Sequence, residues 1–218
     1  MQFLYYQNPF TQTLSIEGES FKYLSKVRRI QVGETIQLCN LKDQTLYRYI
    51  VIQIDKKTIT LSLQSSQKVE QKRTFLHIGW CVVNPKTIEK TLPFFNELGV
   101  GKITFIYCAR SQRNFKLNFE RMKKILINSC QQCGRVDLME LQSCASIEIF
   151  VRDNPKSYLC DFGGEKLTNQ KIETIIVGPE GGLSECERNL NLPKIGFETP
   201  LILRSETAVA AIASKILI

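Results

Sequence analysis

A chain of 218 residues, 43% of them hydrophobic, is long enough for one large or two small folded domains with a well-filled core. It contains no apolar run long enough to cross a bilayer, and Met1-Gln2-Phe3-Leu4 lacks the charged start of a signal peptide, so a soluble cytoplasmic protein with no membrane partner is expected. Lysine and arginine outnumber aspartate and glutamate by 29 to 21, a net charge of +8, which favours a polyanionic partner such as nucleic acid.

Residues 1–66 read as a small β-rich unit. One helical segment, Gly18–Val27, ends in Lys26-Val27-Arg28-Arg29. A short strand is predicted at Thr35–Asn40. Ile50, Ile52 and Ile54 alternate with other residues, as do Ile59, Leu61 and Leu63, and Asp55-Lys56-Lys57 supplies the turn of a hairpin between them. The polar stretch Gln64–Arg73 reads as a linker.

From 74 to 218 strands alternate with helices, the signature of an α/β domain with a mainly parallel sheet. Thr74–Val83 is a predicted strand. Asn84 then caps a helix with Pro85 in its first turn and Gly99 as its stop, and Pro93 is expected to kink it. Lys102–Cys108 is the next strand, and Asn118–Cys133 a helix with Phe119, Met122, Leu126 and Cys130 on one face. Short strands follow near Leu138–Leu141 and Tyr158–Asp161, then Thr174–Val177 and Pro200–Arg204. The last helix is Ser205–Leu217, with Val209, Ile212 and Ile216 as its apolar stripe.

Metal chemistry is not expected. Only Cys130 and Cys133 form a C-x-x-C, and His77 is the single histidine, whereas a structural zinc site needs about four converging ligands. The eight cysteines read as reduced thiols. A nucleotide hydrolase is disfavoured too, because G-x-x-x-x-G-K-[ST] is absent.

Two corners carry the chemical signal. Gly178-Pro179-Glu180-Gly181-Gly182 follows the apolar run Thr174–Val177 and precedes Ser184-Glu185-Cys186-Glu187, where Ser184 and Glu187 have the spacing of a capping box. The turn holds a carboxylate and no lysine, the reverse of a phosphate cradle, so it suits a ligand that is neutral or cationic where it meets Glu180. The second corner, Leu201-Ile202-Leu203-Arg204-Ser205-Glu206-Thr207, also leads into a helix. Ligands of open α/β sheets sit beyond the carboxyl ends of strands, so both corners are expected to face one site.

The chain resembles the ribosomal RNA small subunit methyltransferase E family, of the SPOUT class. The resemblance rests on Gly178-Pro179-Glu180-Gly181-Gly182-Leu183-Ser184 and Leu203-Arg204-Ser205-Glu206-Thr207-Ala208. It is supported by Asn96-Glu97-Leu98-Gly99-Val100, Ala109-Arg110-Ser111, Gln131-Gln132-Cys133-Gly134-Arg135 and, more loosely, Phe21–Gly33. Phe21 stands where the family usually has histidine, Leu183 where it has phenylalanine and Ser205 where it has threonine. The resemblance implies a PUA-like β-barrel over 1–66 for RNA binding and, over 74–218, a SPOUT domain with a deep trefoil knot. It also implies S-adenosylmethionine as methyl donor, a homodimer, and methylation of N3 of one uridine in 16S rRNA of the small ribosomal subunit.

On that basis the donor is expected against Val177, Gly178, Pro179, Glu180, Gly181, Gly182, Leu201, Ile202, Leu203, Arg204 and Thr207. The N3 of uridine must lose a proton before it can attack, and an arginine beside the base would stabilise the developing anion. Arg204 is the first candidate and Arg135 the second, with Glu180 and Glu206 as candidate bases. Lys26, Arg28, Arg29, Arg110 and Arg113 are candidate RNA contacts. The competing readings are a non-catalytic RNA-binding assembly factor with the same fold, and a SPOUT methyltransferase acting at another RNA position.

Overall fold

The computed structural model describes residues 1–8, 10–70, 75–111, 114, 116–168 and 171–218. Contacts divide the chain into two units, one of residues 1–71 and 130–138, the other of 72–129 and 139–218.

The first unit is built on a five-stranded sheet. Its strands are β1 (Leu4–Tyr5), β2 (Thr13–Ile16), β3 (Thr35–Cys39), β4 (Thr45–Ile54) and β5 (Ile59–Lys68), in the order β1-β3-β4-β5-β2. The β4–β5 hairpin turns at Asp55, whose backbone N–H donates to the Thr58 carbonyl at 2.9 Å. The polar run Gln64–Lys68 is the end of β5 rather than linker, because Ser65–Lys68 pair with Thr45–Arg48 of β4 and Gln64 sits at the register shift between them and Leu63. Backbone pairing, not side-chain polarity, decides its conformation. Helix α1 (Gly18–Lys22) continues as a π-helical turn, Tyr23–Val27. Leu14, Ile16, Leu24, Leu38, Tyr49, Val51, Ile59 and Leu61 form the core. Residues 130–138 belong to this unit, where the Gln2 N–H donates to the Gln131 carbonyl at 2.7 Å.

The second unit holds a six-stranded, wholly parallel sheet. Its strands are β6 (His77–Cys81), β7 (Lys102–Ile106), β8 (Glu140–Cys144), β9 (Tyr158–Lys166), β10 (Thr174–Val177) and β11 (Lys194–Gly196). Their order is β11-β9-β10-β6-β7-β8. Its helices are α2 (Pro85–Leu98), α3 (Phe119–Cys133), whose last turn lies in the first unit, α4 (Ile147–Asp153), α5 (Glu185–Arg188) and α6 (Ser205–Leu217). In α2, Asn84 accepts from the Lys86 N–H at 2.9 Å and Gly99, at φ +93°, closes the helix, while the helix runs on through Pro93. His77 packs on the Phe150 ring, and its Nε2 lies 2.8 Å from the Thr104 hydroxyl. Burial, with Lys102 adding to it, pushes that imidazole down to about 4.

The sequence-based expectation fails at Pro200–Arg204, which is not a strand; the last strand is β11, ending at Gly196. The run Leu201-Ile202-Leu203 is apolar without being core, since Leu201 is 71% and Ile202 83% exposed. β11 and β9 approach closely at two glycines. A Cβ on Gly164 would lie 2.6 Å from the Ile195 backbone, and one on Gly196 2.8 Å from the Asp161 carbonyl oxygen. No helix among the described residues is long and apolar enough to cross a membrane.

Candidate functional site

At its carboxyl end β10 runs out at Val177 into the glycine corner. The turn closes by a hydrogen bond from the Gly182 N–H to the Pro179 carbonyl at 2.9 Å, and Gly182 adopts φ +70°, a conformation that favours glycine. Beyond it the capping box is formed. The Glu187 N–H donates to Ser184 Oγ at 3.3 Å, and the Ser184 N–H donates to Glu187 Oε2 at 2.8 Å. The same carboxylate also receives the Ala109 N–H at 2.7 Å on Oε1. Burial works against ionisation of Glu187, but the N–H groups of Ala109 and Ser184 outweigh it and hold the carboxyl below its usual range. Arg110, next in the loop after β7, donates from Nη1 to the Gly181 carbonyl at 2.8 Å. The corner is thus fixed by the strand before it, the helix after it and the loop beside it.

The second corner meets the first through one hydroxyl. Ser205 Oγ donates to the Gly178 carbonyl at 2.6 Å and accepts the indole N–H of Trp80 at 2.8 Å. Ser205 and Trp80 are buried, so this clasp ties the start of α6 to β6 and to the end of β10. Sequence separation hides this neighbourhood; parallel pairing of Trp80 with Val177 creates it.

Together the corners wall a cavity of about 520 Å³. Val177, Gly178, Pro179, Glu180, Gly181, Gly182, Leu201, Ile202, Leu203 and Arg204 all line it. Thr207 is exposed on α6 and is not part of the lining, nor is Glu206. Glu206 is half-buried, and its Oε2 is enclosed without a hydrogen-bond partner among the described residues. Arg135 belongs to the first unit, where it is buried and its Nη2 pairs with Asp137 Oδ2 at 3.0 Å.

Several cavity residues escape sequence reasoning, among them Asp161, Phe162, Arg188 and Phe197. Asp161 follows Cys160, which pairs with Val177 across the β9–β10 ladder, so it lies beside the glycine corner. The available signal was the predicted end of the Tyr158–Asp161 strand; what was lacking was strand order. Arg188 Nε is 3.7 Å from Asp161 Oδ1, an ion pair too long for a hydrogen bond, and this nitrogen is enclosed without an acceptor among the described residues.

The lining mixes backbone groups, apolar side chains and two charges of each sign, Asp161 and Glu180 against Arg188 and Arg204. Its volume falls within the range of small-molecule sites, about 300–1,000 Å³. Such a lining suits a mostly apolar ligand with charges of both signs, and disfavours a polyphosphate. No group of three or more metal-ligating side chains gathers among the described residues.

Of the candidate RNA contacts, Lys26, Arg28 and Arg29 are exposed on the first unit. Arg29 adopts φ +53°, and a broad open depression there is lined by Ser25, Lys26, Arg29, Ile30, Gln31, Val32 and Ile54. Arg110 is exposed but bound to the Gly181 carbonyl, and Arg113 lies outside the described residues.

Comparison with known proteins gives a consistent result. Residues 70–217 match the model of an RNA methyltransferase domain, and residues 16–64 that of an RNA methyltransferase PUA domain. The chain is 42% identical over 224 aligned positions to the ribosomal RNA small subunit methyltransferase E of Helicobacter pylori strain J99, covering 98% of both proteins. It is 28% identical to the protein of the same name from Aquifex aeolicus, with 91% of this chain and 90% of that protein covered. Among solved structures, a Neisseria gonorrhoeae ribosomal RNA small subunit methyltransferase E bound to S-adenosylmethionine superposes with a TM-score of 0.81 at 19% identity, over 98% of this chain and 95% of that one. A Legionella pneumophila methyltransferase in complex with the same compound gives 0.79 at 24% identity, over 98% and 94%. At those identities the two structures establish likeness of fold.

Proposed function

The chain belongs to the ribosomal RNA small subunit methyltransferase E family, and from that premise we propose that it transfers a methyl group from S-adenosylmethionine to N3 of one uridine in 16S rRNA of the small ribosomal subunit. The observation that carries this reading is the clasp of Ser205 on the Gly178 carbonyl, which makes one cavity of two backbone corners at the carboxyl end of a parallel sheet.

The cavity fits the donor. S-adenosylmethionine, when bound, supplies an electrophilic methyl group on a cationic sulfonium. Asp161 and Glu180 provide negative charge, no lysine lines the cavity among the described residues, and the glycine corner and Leu201–Leu203 present the backbone and apolar surface that a purine requires. The chain's own work is then to hold the target base and manage its proton. Arg204 lines the cavity and is exposed, so its guanidinium is the group to stabilise negative charge on the uracil oxygens as N3 loses its proton. Arg135, engaged with Asp137, is the second candidate. Glu180, in the lining, and Glu206, whose Oε2 has no partner among the described residues, are the candidate proton acceptors.

Uridine N3 is inaccessible in a paired stack, so the target must be unpaired or extruded. Lys26, Arg28 and Arg29 hold rRNA phosphates in this reading, Arg110 approaches the RNA from the loop after β7, and Arg113 is a further candidate contact. The working form is a cytoplasmic homodimer whose chain is knotted through the two corners, as the family resemblance implies. Light scattering of the purified protein checks the dimer.

The deciding experiment incubates the purified protein with S-adenosylmethionine and small subunits from a strain lacking the gene, then maps the 16S nucleosides by mass spectrometry. One 3-methyluridine at one position is expected. Methylation of another base would redirect the reading to a different RNA target. RNA binding without methylation, and without a thermal shift by the donor, would leave an assembly factor.

A further inference from the structure

We infer that Asp161 and Arg188 form the subsite for the zwitterionic amino-acid end of the methyl donor, and so set its preference for donors and products that carry that end. The inference rests on the methyl-transfer reading above. Asp161 Oδ1 and Arg188 Nε stand 3.7 Å apart on the cavity wall. At that distance the pair is attracted but not hydrogen-bonded.

Neither side chain is fully used by the protein. Among the described residues, Arg188 Nε is enclosed without an acceptor, and the Asp161 carboxylate accepts from the Phe162 N–H at 2.9 Å. An enclosed guanidinium nitrogen left without a partner is costly, and the cost is removed by a ligand that brings an acceptor. A carboxylate is the acceptor whose geometry a guanidinium matches best. The adjacent aspartate then needs a cation, and the ammonium of an α-amino acid lies two bonds from its own carboxylate carbon. A loose ion pair in a cleft is therefore complementary to a zwitterion, exchanging one long contact for two charge-assisted hydrogen bonds.

The surroundings fix both partners. Arg188 ends α5, and its Nη2 packs beside the glycine corner, 3.4 Å from where a Cβ on Gly182 would stand, an ordinary contact distance. Asp161 is held where β11 crosses it, since Gly196 has no side chain to push its carbonyl away. The Asp161 side chain is 11% exposed and that of Arg188 41%, whereas Glu180 and Arg204, the other charged residues of the lining, both stand exposed to solvent. Charge recognition is stronger where water is displaced. Ribose hydroxyls can donate to the aspartate and accept from the arginine, but they bring neither with a counter-charge, whereas a zwitterion matches both charges.

The test measures calorimetric affinity for two neutral-sulfur probes, S-adenosylhomocysteine and 5′-deoxy-5′-methylthioadenosine. The second has the same adenosine and thioether but lacks the amino-acid group. Asp161→Asn and Arg188→Gln should each weaken S-adenosylhomocysteine by about tenfold or more, and the headless nucleoside by less than about threefold. Equal losses for both probes, or no loss for S-adenosylhomocysteine, would overturn the assignment. Arg188 is partly exposed, so Arg188→Gln carries the test if Asp161→Asn fails to fold. If the wild-type protein binds neither probe nor S-adenosylmethionine, the methyl-transfer reading itself falls, and this subsite with it.

Discussion

The two walls of the cavity are built on opposite plans. Gly178–Gly182 is pinned by β10, by the capping box of α5, by the Ala109 N–H on Glu187 and by Arg110 on the Gly181 carbonyl. Leu201–Arg204 has no strand partner, exposes two large apolar side chains, and reaches the first wall through the Ser205 hydroxyl. In this cleft only one side is made by the fold. The other can be surface whose burial waits for the ligand, and covering a Leu or Ile side chain contributes about 1.5–3 kcal/mol at most.

The largest expected effect tests whether the loosely held wall carries the chemistry. Arg204→Ala should lower methyl transfer about 100-fold or more. Its melting temperature should be unchanged, because Arg204 is exposed and makes no side-chain cap on α6. Wild-type turnover in single-turnover assays would remove that wall from the mechanism. Next comes the clasp. Ser205→Ala leaves the buried indole N–H of Trp80 without its acceptor, at a cost of about 1–3 kcal/mol in denaturant titration. Donor affinity by calorimetry should fall about tenfold, and unchanged affinity would show that the walls hold their spacing without the clasp. The smallest effect belongs to the pinned wall. Arg110→Ala removes one exposed bond among several, so stability should change by less than about 1 kcal/mol and donor affinity by a few-fold. A loss as large as that of Ser205→Ala would mean that the pinning is not redundant.

Legibility in the sequence follows the same division. The pinned wall was readable because its signals are local: an apolar run, a glycine turn and the Ser184–Glu187 spacing specify strand, corner and helix start within about a dozen residues. The start of α6 at Ser205 and the caps of α2 at Asn84 and Gly99 were local as well. Pro200–Arg204 misled because an apolar run does not say what covers it, and Leu201–Arg204 line a cavity rather than meet a sheet neighbour. Gln64–Lys68 misled in the reverse sense, since the polar residues Ser65–Lys68 are held by a ladder to Thr45–Arg48. Asp161 was out of reach because only the pairing of β9 with β10 sets it beside the glycine corner, and Arg188 because nothing in its short helix marks which side chain meets a cavity. The assignment of 130–138 to the first unit is equally non-local, resting on contacts such as Gln131 with Gln2 and Tyr5.

The chain contains a single tryptophan, and its ring nitrogen ends on the very hydroxyl that joins the two walls. Trp80 is therefore a native fluorophore wired to the latch. Any opening or tightening there changes the polarity and hydrogen bonding that the excited indole senses, so emission colour and lifetime can follow ligand entry in real time without a label.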